Sequence, residues 1–117
     1  MSTLSVGTIK SANSSPPVFQ NSSGTEIGQL VFCYANIETS GTASIAQSFN
    51  LSSVTEQNTD HYTLAFARSA ANSNYAIACD VQTETNHFTQ DHTSSQFDFR
   101  TGGGLSTQNF SVIVFGD

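Results

Sequence analysis

Apolar residues recur at every second position through much of the chain. Tyr62, Leu64 and Phe66 alternate with His61, Thr63 and Ala65. Tyr75, Ile77, Cys79 and Val81 alternate with Ala76, Ala78 and Asp80, and Phe97 with Phe99 forms a shorter set. A period of two puts alternate side chains on one face, so each run predicts a half-buried β-strand. Ile45, Gln47, Phe49 and Leu51 predict another, with one slip at Gln47. Residues 27–37 and 110–115 are apolar at both parities, which predicts strands covered on both faces, either central in a sheet or at a subunit contact. The intervening stretches, "TEQNTD", "SAANSN", "TETNHFTQDHTSS" and "TGGGLSTQ", are rich in turn formers. No window combines helical spacing with a cap. Short strands at regular intervals predict an all-β chain: an antiparallel β-sandwich or a jelly-roll-like domain.

The first 24 residues differ. "TLSVGTIK" has one brief apolar pattern, and "SANSSPPVFQNSSG" holds both prolines, which keep the backbone extended. Such a segment buries little by itself and orders by docking. The expected division is an N-terminal arm over 1–24, with Leu4, Val6, Ile9, Val18 and Phe19 as its attachment residues, and a β-domain over 25–117. Leu30, Phe32, Tyr34, Phe110, Val112 and Val114, in the doubly apolar runs, are the expected subunit interface.

Composition narrows the chemistry. Charged residues make up 10% of the 117 residues, so Ser, Thr, Asn and Gln must finish the surface. The net charge is −6, and Lys10, Arg68 and Arg100 are the only strong cations; that argues against nucleic-acid binding and against adhesion to anionic membranes. The opening residues lack a basic stretch leading into an apolar core, and no apolar run approaches ~20 residues, so neither a signal peptide nor membrane insertion is expected. Cys33 and Cys79 each sit inside an apolar alternation and are expected as small buried hydrophobes, with a bridge between two strands as the alternative.

Candidate sites are few. The segment "ETNHFTQDHTSSQFDF" gathers Glu84, His87, Asp91, His92 and Asp98, but His-x4-His on a loop has no period that brings both rings together, so no metal and no cofactor are expected. No Gly-x-Ser-x-Gly elbow occurs, and "RTGGGLST" lacks the lysine of a phosphate loop; its glycines are expected to form a hairpin. The chain is therefore expected not to be an enzyme. Tyr75, His87, Phe88, Asp91 and His92, near the expected loops, are the candidates for contact with a sugar or protein receptor.

Five stretches, "TLSVGTIK", "FQNSSGTEIGQL", "GTASIAQSFNLSSVTEQNTDHYTLAF", "NSNYAIACDV" and "SVIVFGD", together resemble tail-fibre and structural virion proteins of tailed phages, especially marine, cyanophage-like ones. The resemblance implies a short arm followed by a compact β-domain, commonly at the distal end of a fibre. The expectation that follows is a non-enzymatic virion protein: a homotrimer held to other virion proteins of the tail or capsid by its arm, and meeting a host surface glycan or protein through the loops at 54–60, 84–95 and 101–108. The alternatives are a capsid decoration (cement) protein clamping the major capsid protein and, in a different class, a polysaccharide depolymerase using acids from residues 84–98.

Overall fold

The computed structural model describes residues 2–12, 17–28, 30–82, 86–102 and 109–116. Glu84, Pro16 and the glycines at 103 and 104 lie outside them. The chain divides into two compact units, Met1–Leu30 and Val31–Asp117. No helix occurs among the described residues, and all strand pairs are antiparallel.

The first unit holds a short hairpin of β1 (Phe19–Gln20) and β2 (Glu26–Gly28). Asn21 organises its turn: its Oδ1 accepts from the Ser23 and Thr25 backbone amides at 3.0 and 2.9 Å, and Gly24 takes a φ of +82°. An Asx side chain followed by glycine is the chemistry such a turn demands. The hairpin places residues 26–28 with the first unit rather than with the β-domain that follows.

Among its described residues the second unit contains eight strands: β3 (Val31–Glu38), β4 (Ser44–Phe49), β5 (Leu51–Asn58), β6 (His61–Phe66), β7 (Ala76–Val81), β8 (His87–Gln90), β9 (Gln96–Thr101) and β10 (Phe110–Phe115). They form two four-stranded sheets, ordered β4-β3-β10-β7 and β5-β6-β9-β8. Phe32, Cys33, Ala35, Ile37, Val81, Phe110, Val112 and Val114 from the first sheet share one core with Leu51, Tyr62, Leu64, Phe66, Phe97 and Phe99 from the second. The sheets thus face each other across a common apolar layer, in the manner of a β-sandwich. Three consecutive pairs, β3–β4, β5–β6 and β8–β9, stay together as hairpins within a sheet, whereas a jelly roll sends most consecutive strands to opposite sheets.

Two bulges explain where strict alternation misleads. Opposite β10, Phe115 pairs with Val31 while Val114 pairs with Cys33, so Phe32 is an extra residue in β3. The bulge turns Phe32 inward beside Cys33, and both are buried. Within the single chain, the double apolarity of β3 therefore reflects a bulge on one face and exposed residues on the other. In β4 the register slips between Ile45 and Gln47. Ile45 packs against the core while Phe49, four residues on, stands exposed, so the run expected on one face is split between two. The expected turn at 55–60 also shifts, because β5 continues to Asn58.

One residue, Asn50, carries the chain from the first sheet to the second. It sits at φ +57°, a left-handed conformation that asparagine tolerates better than most residues. Its Nδ2 donates to the Phe32 carbonyl at 3.0 Å, and its Oδ1 accepts from the Arg68 amide at 2.7 Å. Its own carbonyl accepts from the Ala67 amide at 3.1 Å. The corner is thereby tied to the bulged start of β3 and to the chain leaving β6, and the Arg68 guanidinium lies 4.7 Å from the Phe32 ring centre. Replacing Asn50 with Ala removes its side-chain bonds and leaves a strained φ, which should cost about 2–3 kcal/mol in urea unfolding. Asn50→Gly relieves the strain and should lose less; equal losses for the two would mean that conformation contributes nothing at this corner.

Candidate functional site

Across the outer face of the sheet β5-β6-β9-β8, several polar side chains are bonded in series. β6 and β9 pair in register, with His61 opposite Arg100 and Thr63 opposite Asp98. Outward parity on both strands therefore sets four polar groups in a square. Arg100 Nη2 lies 3.0 Å from His61 Nδ1, and His61 Nε2 lies 2.6 Å from Asp98 Oδ2. Arginine is always a donor, so Nδ1 must accept and Nε2 must carry the proton it gives to Asp98. The other Asp98 oxygen accepts from the Thr63 hydroxyl at 2.8 Å, and Gln57 Nε2 donates to Thr63 Oγ1 at 3.3 Å. The direction is thus fixed along the line Gln57 to Thr63 to Asp98, and Arg100 to His61 to Asp98.

The network is largely withdrawn from water, with the His61 and Asp98 side chains 16% and 10% exposed. At its end, Arg100 Nε is buried without an acceptor among the described residues. Both ring nitrogens of His61 are engaged, neither by a hydroxyl. The arrangement therefore holds side chains in place and offers no imidazole base beside a nucleophile, the pairing that acyl transfer uses. Next to it, Phe88 is opposite Arg100 and Gln90 opposite Asp98 across the β8–β9 pair, and the Phe88 ring is 49% exposed. Near the Gln57 end, an open groove of about 590 Å³ lies between Thr42 and Ala43, before β4, and residues 54–59.

The receptor candidates separate. Phe88 and Asp91 are exposed, Asp91 accepting from Gln90 Nε2 at 2.8 Å. Tyr75 is instead buried: its hydroxyl points to the Thr93 and Gln96 carbonyls at 3.0 and 2.9 Å, its ring packs on Phe66, and burial pushes the phenol up to about 12. His92 stacks on that ring with centres 5.1 Å apart and bonds Thr89 Oγ1 at 3.0 Å; His87 lies half-buried beside Phe99. Tyr75 and His92 thus brace the loop after β8, while His87 packs on Phe99 at the start of that strand.

The interface candidates divide as well. Phe32, Phe110, Val112 and Val114 are core residues of their own chain, while Leu30 and Tyr34 are exposed. Tyr34 belongs to a feature that alternation did not reveal. On the outer face of the sheet β4-β3-β10-β7, Phe49, Tyr34, Ile113 and Ala78 stand side by side across all four strands. The Tyr34 and Phe49 rings stack with centres 6.2 Å apart. Phe115, Val31 and Ala76 form a second outward row beside the first. All these side chains are exposed. In the first unit, the attachment candidates Leu4, Val6, Ile9, Val18 and Phe19 are exposed too.

Among the described residues no three His, Cys, Asp or Glu side chains converge as a metal would require. The chain matches no family model, no curated protein and no solved structure.

Cys33 and Cys79 are both free and face the core. They lie on β3 and β7 with β10 between them, a separation of about 10 Å that exceeds the reach of a disulfide. Burial raises the Cys33 thiol to about 11, and burial followed by the nearby Asp80 charge raises Cys79. At pH 8 only about one Cys33 in a thousand is then a thiolate. Iodoacetamide should leave Cys33 unlabelled in the folded protein at pH 8, its rate rising about tenfold per pH unit, and should label both thiols at once in guanidinium. Rapid labelling of Cys33 in the native state would contradict its position.

Proposed function

We propose that this chain is a non-enzymatic structural domain of a virion: a tail-fibre-type unit that assembles as a homotrimer, attaches through an extended N-terminal arm and meets the host surface. The observation that carries this is the pair of outward apolar rows across the sheet β4-β3-β10-β7. Phe49, Tyr34, Ile113 and Phe115 are exposed beside one another on one sheet face. Contiguous apolar surface of this kind, rimmed by polar residues, marks sites of association. The next outward row, Gln47, Asn36, Ser111 and Asp80, is polar and joined internally by Ser111 Oγ to Asn36 Oδ1 at 2.8 Å, which gives the patch a rim.

A second copy of the chain is the occupant that fits. The apolar rows carry no charge, so copies approach without repulsion there, and a closed ring of subunits covers the rows and keeps the edge strands β4 and β7 from open-ended pairing. The exposed apolar residues at 4, 6, 9, 18 and 19 supply a separate contact for another particle protein, at the tail or, in the cement version, at the capsid lattice. The resemblance to virion proteins supports placing that particle in a phage. Asp98, with one oxygen bonded to His61 and the other to Thr63, favours a binding role over a depolymerase that would use it as an acid. Light scattering on the full chain at micromolar concentration should return the mass of three chains. Changing Tyr34 and Phe49 together to Lys should return one chain that keeps the β-rich circular dichroism spectrum of the unaltered protein, since both side chains are exposed in the single chain. A monomer from the unaltered protein would end the proposal.

A further inference from the structure

We infer that the outer face of the sheet β5-β6-β9-β8 is a binding platform for a neutral pyranose glycan, with the sugar stacked on Phe88 and its hydroxyls held by Arg100 and Gln90. This takes the host-contact part of the proposed function and gives it a place and a ligand class. Three observations carry it.

The first is position. Among the described residues Phe88 is the large apolar side chain exposed on this face, and it flanks Arg100 in the register of β8 and β9, with Gln90 and Asp98 paired in the adjacent row. A pyranose has one face of C–H bonds and a rim of hydroxyls. It is matched by an aromatic ring that covers the C–H face beside planar polar groups that donate and accept at the rim. Strands spaced about 4.8 Å apart set such groups at intervals close to the width of one sugar ring.

The second is preorganisation. Asp98 is held by both His61 and Thr63, and Arg100 is held by His61. All of these stand on strands rather than loops. Few rotamers remain to be frozen when a ligand arrives, which matters most for weakly bound, strongly hydrated ligands such as sugars. The Nε–H of Arg100 has no acceptor among the described residues.

The third is charge. The guanidinium and the Asp98 carboxylate offset one another within the network, while the chain as a whole carries −6. A uronate or sialate would meet a repulsive field on approach, and a neutral hexose or N-acetylhexosamine would not.

The test is a 15N-resolved NMR titration of the full chain with cello-, malto-, manno- and chito-hexaose and with hexagalacturonate, each to 10 mM. At least one neutral hexaose should shift the amides of Phe88, Gln90, Asp98 and Arg100 together, and Phe88→Ala should weaken that binding at least tenfold while leaving the rest of the spectrum in place. Absence of shifts with every neutral hexaose, shifts confined to other residues, or binding of the galacturonate alone would overturn the inference. Sugar binding in solution needs no assembly, so a monomer that binds leaves this inference standing while the assembly proposal falls. A trimer that does not bind overturns this inference and leaves the assembly proposal in place.

Discussion

The ring of Phe99 lies flat on that of Phe110, centres 4.1 Å apart and planes 7° from parallel, and the contact joins a central strand of one sheet to a central strand of the other. Tyr62 tilts against the same Phe110 at 5.4 Å. At one side, Phe32 meets Phe66 edge-on at 5.0 Å, and Phe66 continues to Tyr75 and Phe97. These aromatic contacts fill the space between the sheets with large rings of few rotamers, which is what a small all-β unit without disulfides needs for a unique core. Everything proposed for the surface depends on them. With the inward residues of both sheets fixed against each other, the outward residues of each strand are fixed as well, and the two faces differ in kind. One carries apolar rows, the other a bonded polar network.

Much of this was legible in the sequence and some was not, for identifiable reasons. The alternation at 62–66, 75–81 and 97–99 locates β6, β7 and β9 because a single period runs unbroken through each. It fails at 45–51, where a bulge flips Phe49 outward and Asn50 turns the chain into the other sheet. It also fails at Phe32, where a bulge makes an apolar pair look like a strand covered twice. A bulge adds one residue without changing composition, so no count of apolar positions exposes it. β8 hid in a polar segment read as a loop, since a four-residue edge strand needs little apolar signal.

The polar network was less legible still. Asp98 stood out as an acid, but His61, Thr63, Arg100 and Gln57 were ordinary polar residues at the outward parity of their strands. What makes them a unit is the pairing of β6 with β9, strands separated by two others in sequence, whose register only the fold supplies. The same holds for the apolar rows: Phe49, Tyr34 and Ile113 come from β4, β3 and β10, and meet only because the last strand inserts beside the first of the second unit. Tyr75 shows the opposite case. Its place beside a turn suggested exposure, yet two backbone carbonyls accept its hydroxyl and draw the ring under the loop.

The claim that both faces hang on the stacked rings between the sheets has a direct test: a double-mutant cycle on Phe99→Leu and Phe110→Leu followed by urea unfolding. Leucine keeps the sites apolar, and the cycle separates the ring contact from the loss of volume at each site. The account predicts that the double variant loses less than the sum of the single losses, with a coupling of about 0.5–1.5 kcal/mol. Strictly additive losses would mean that the two rings do not meet, and that the sheets are not held face to face in this way.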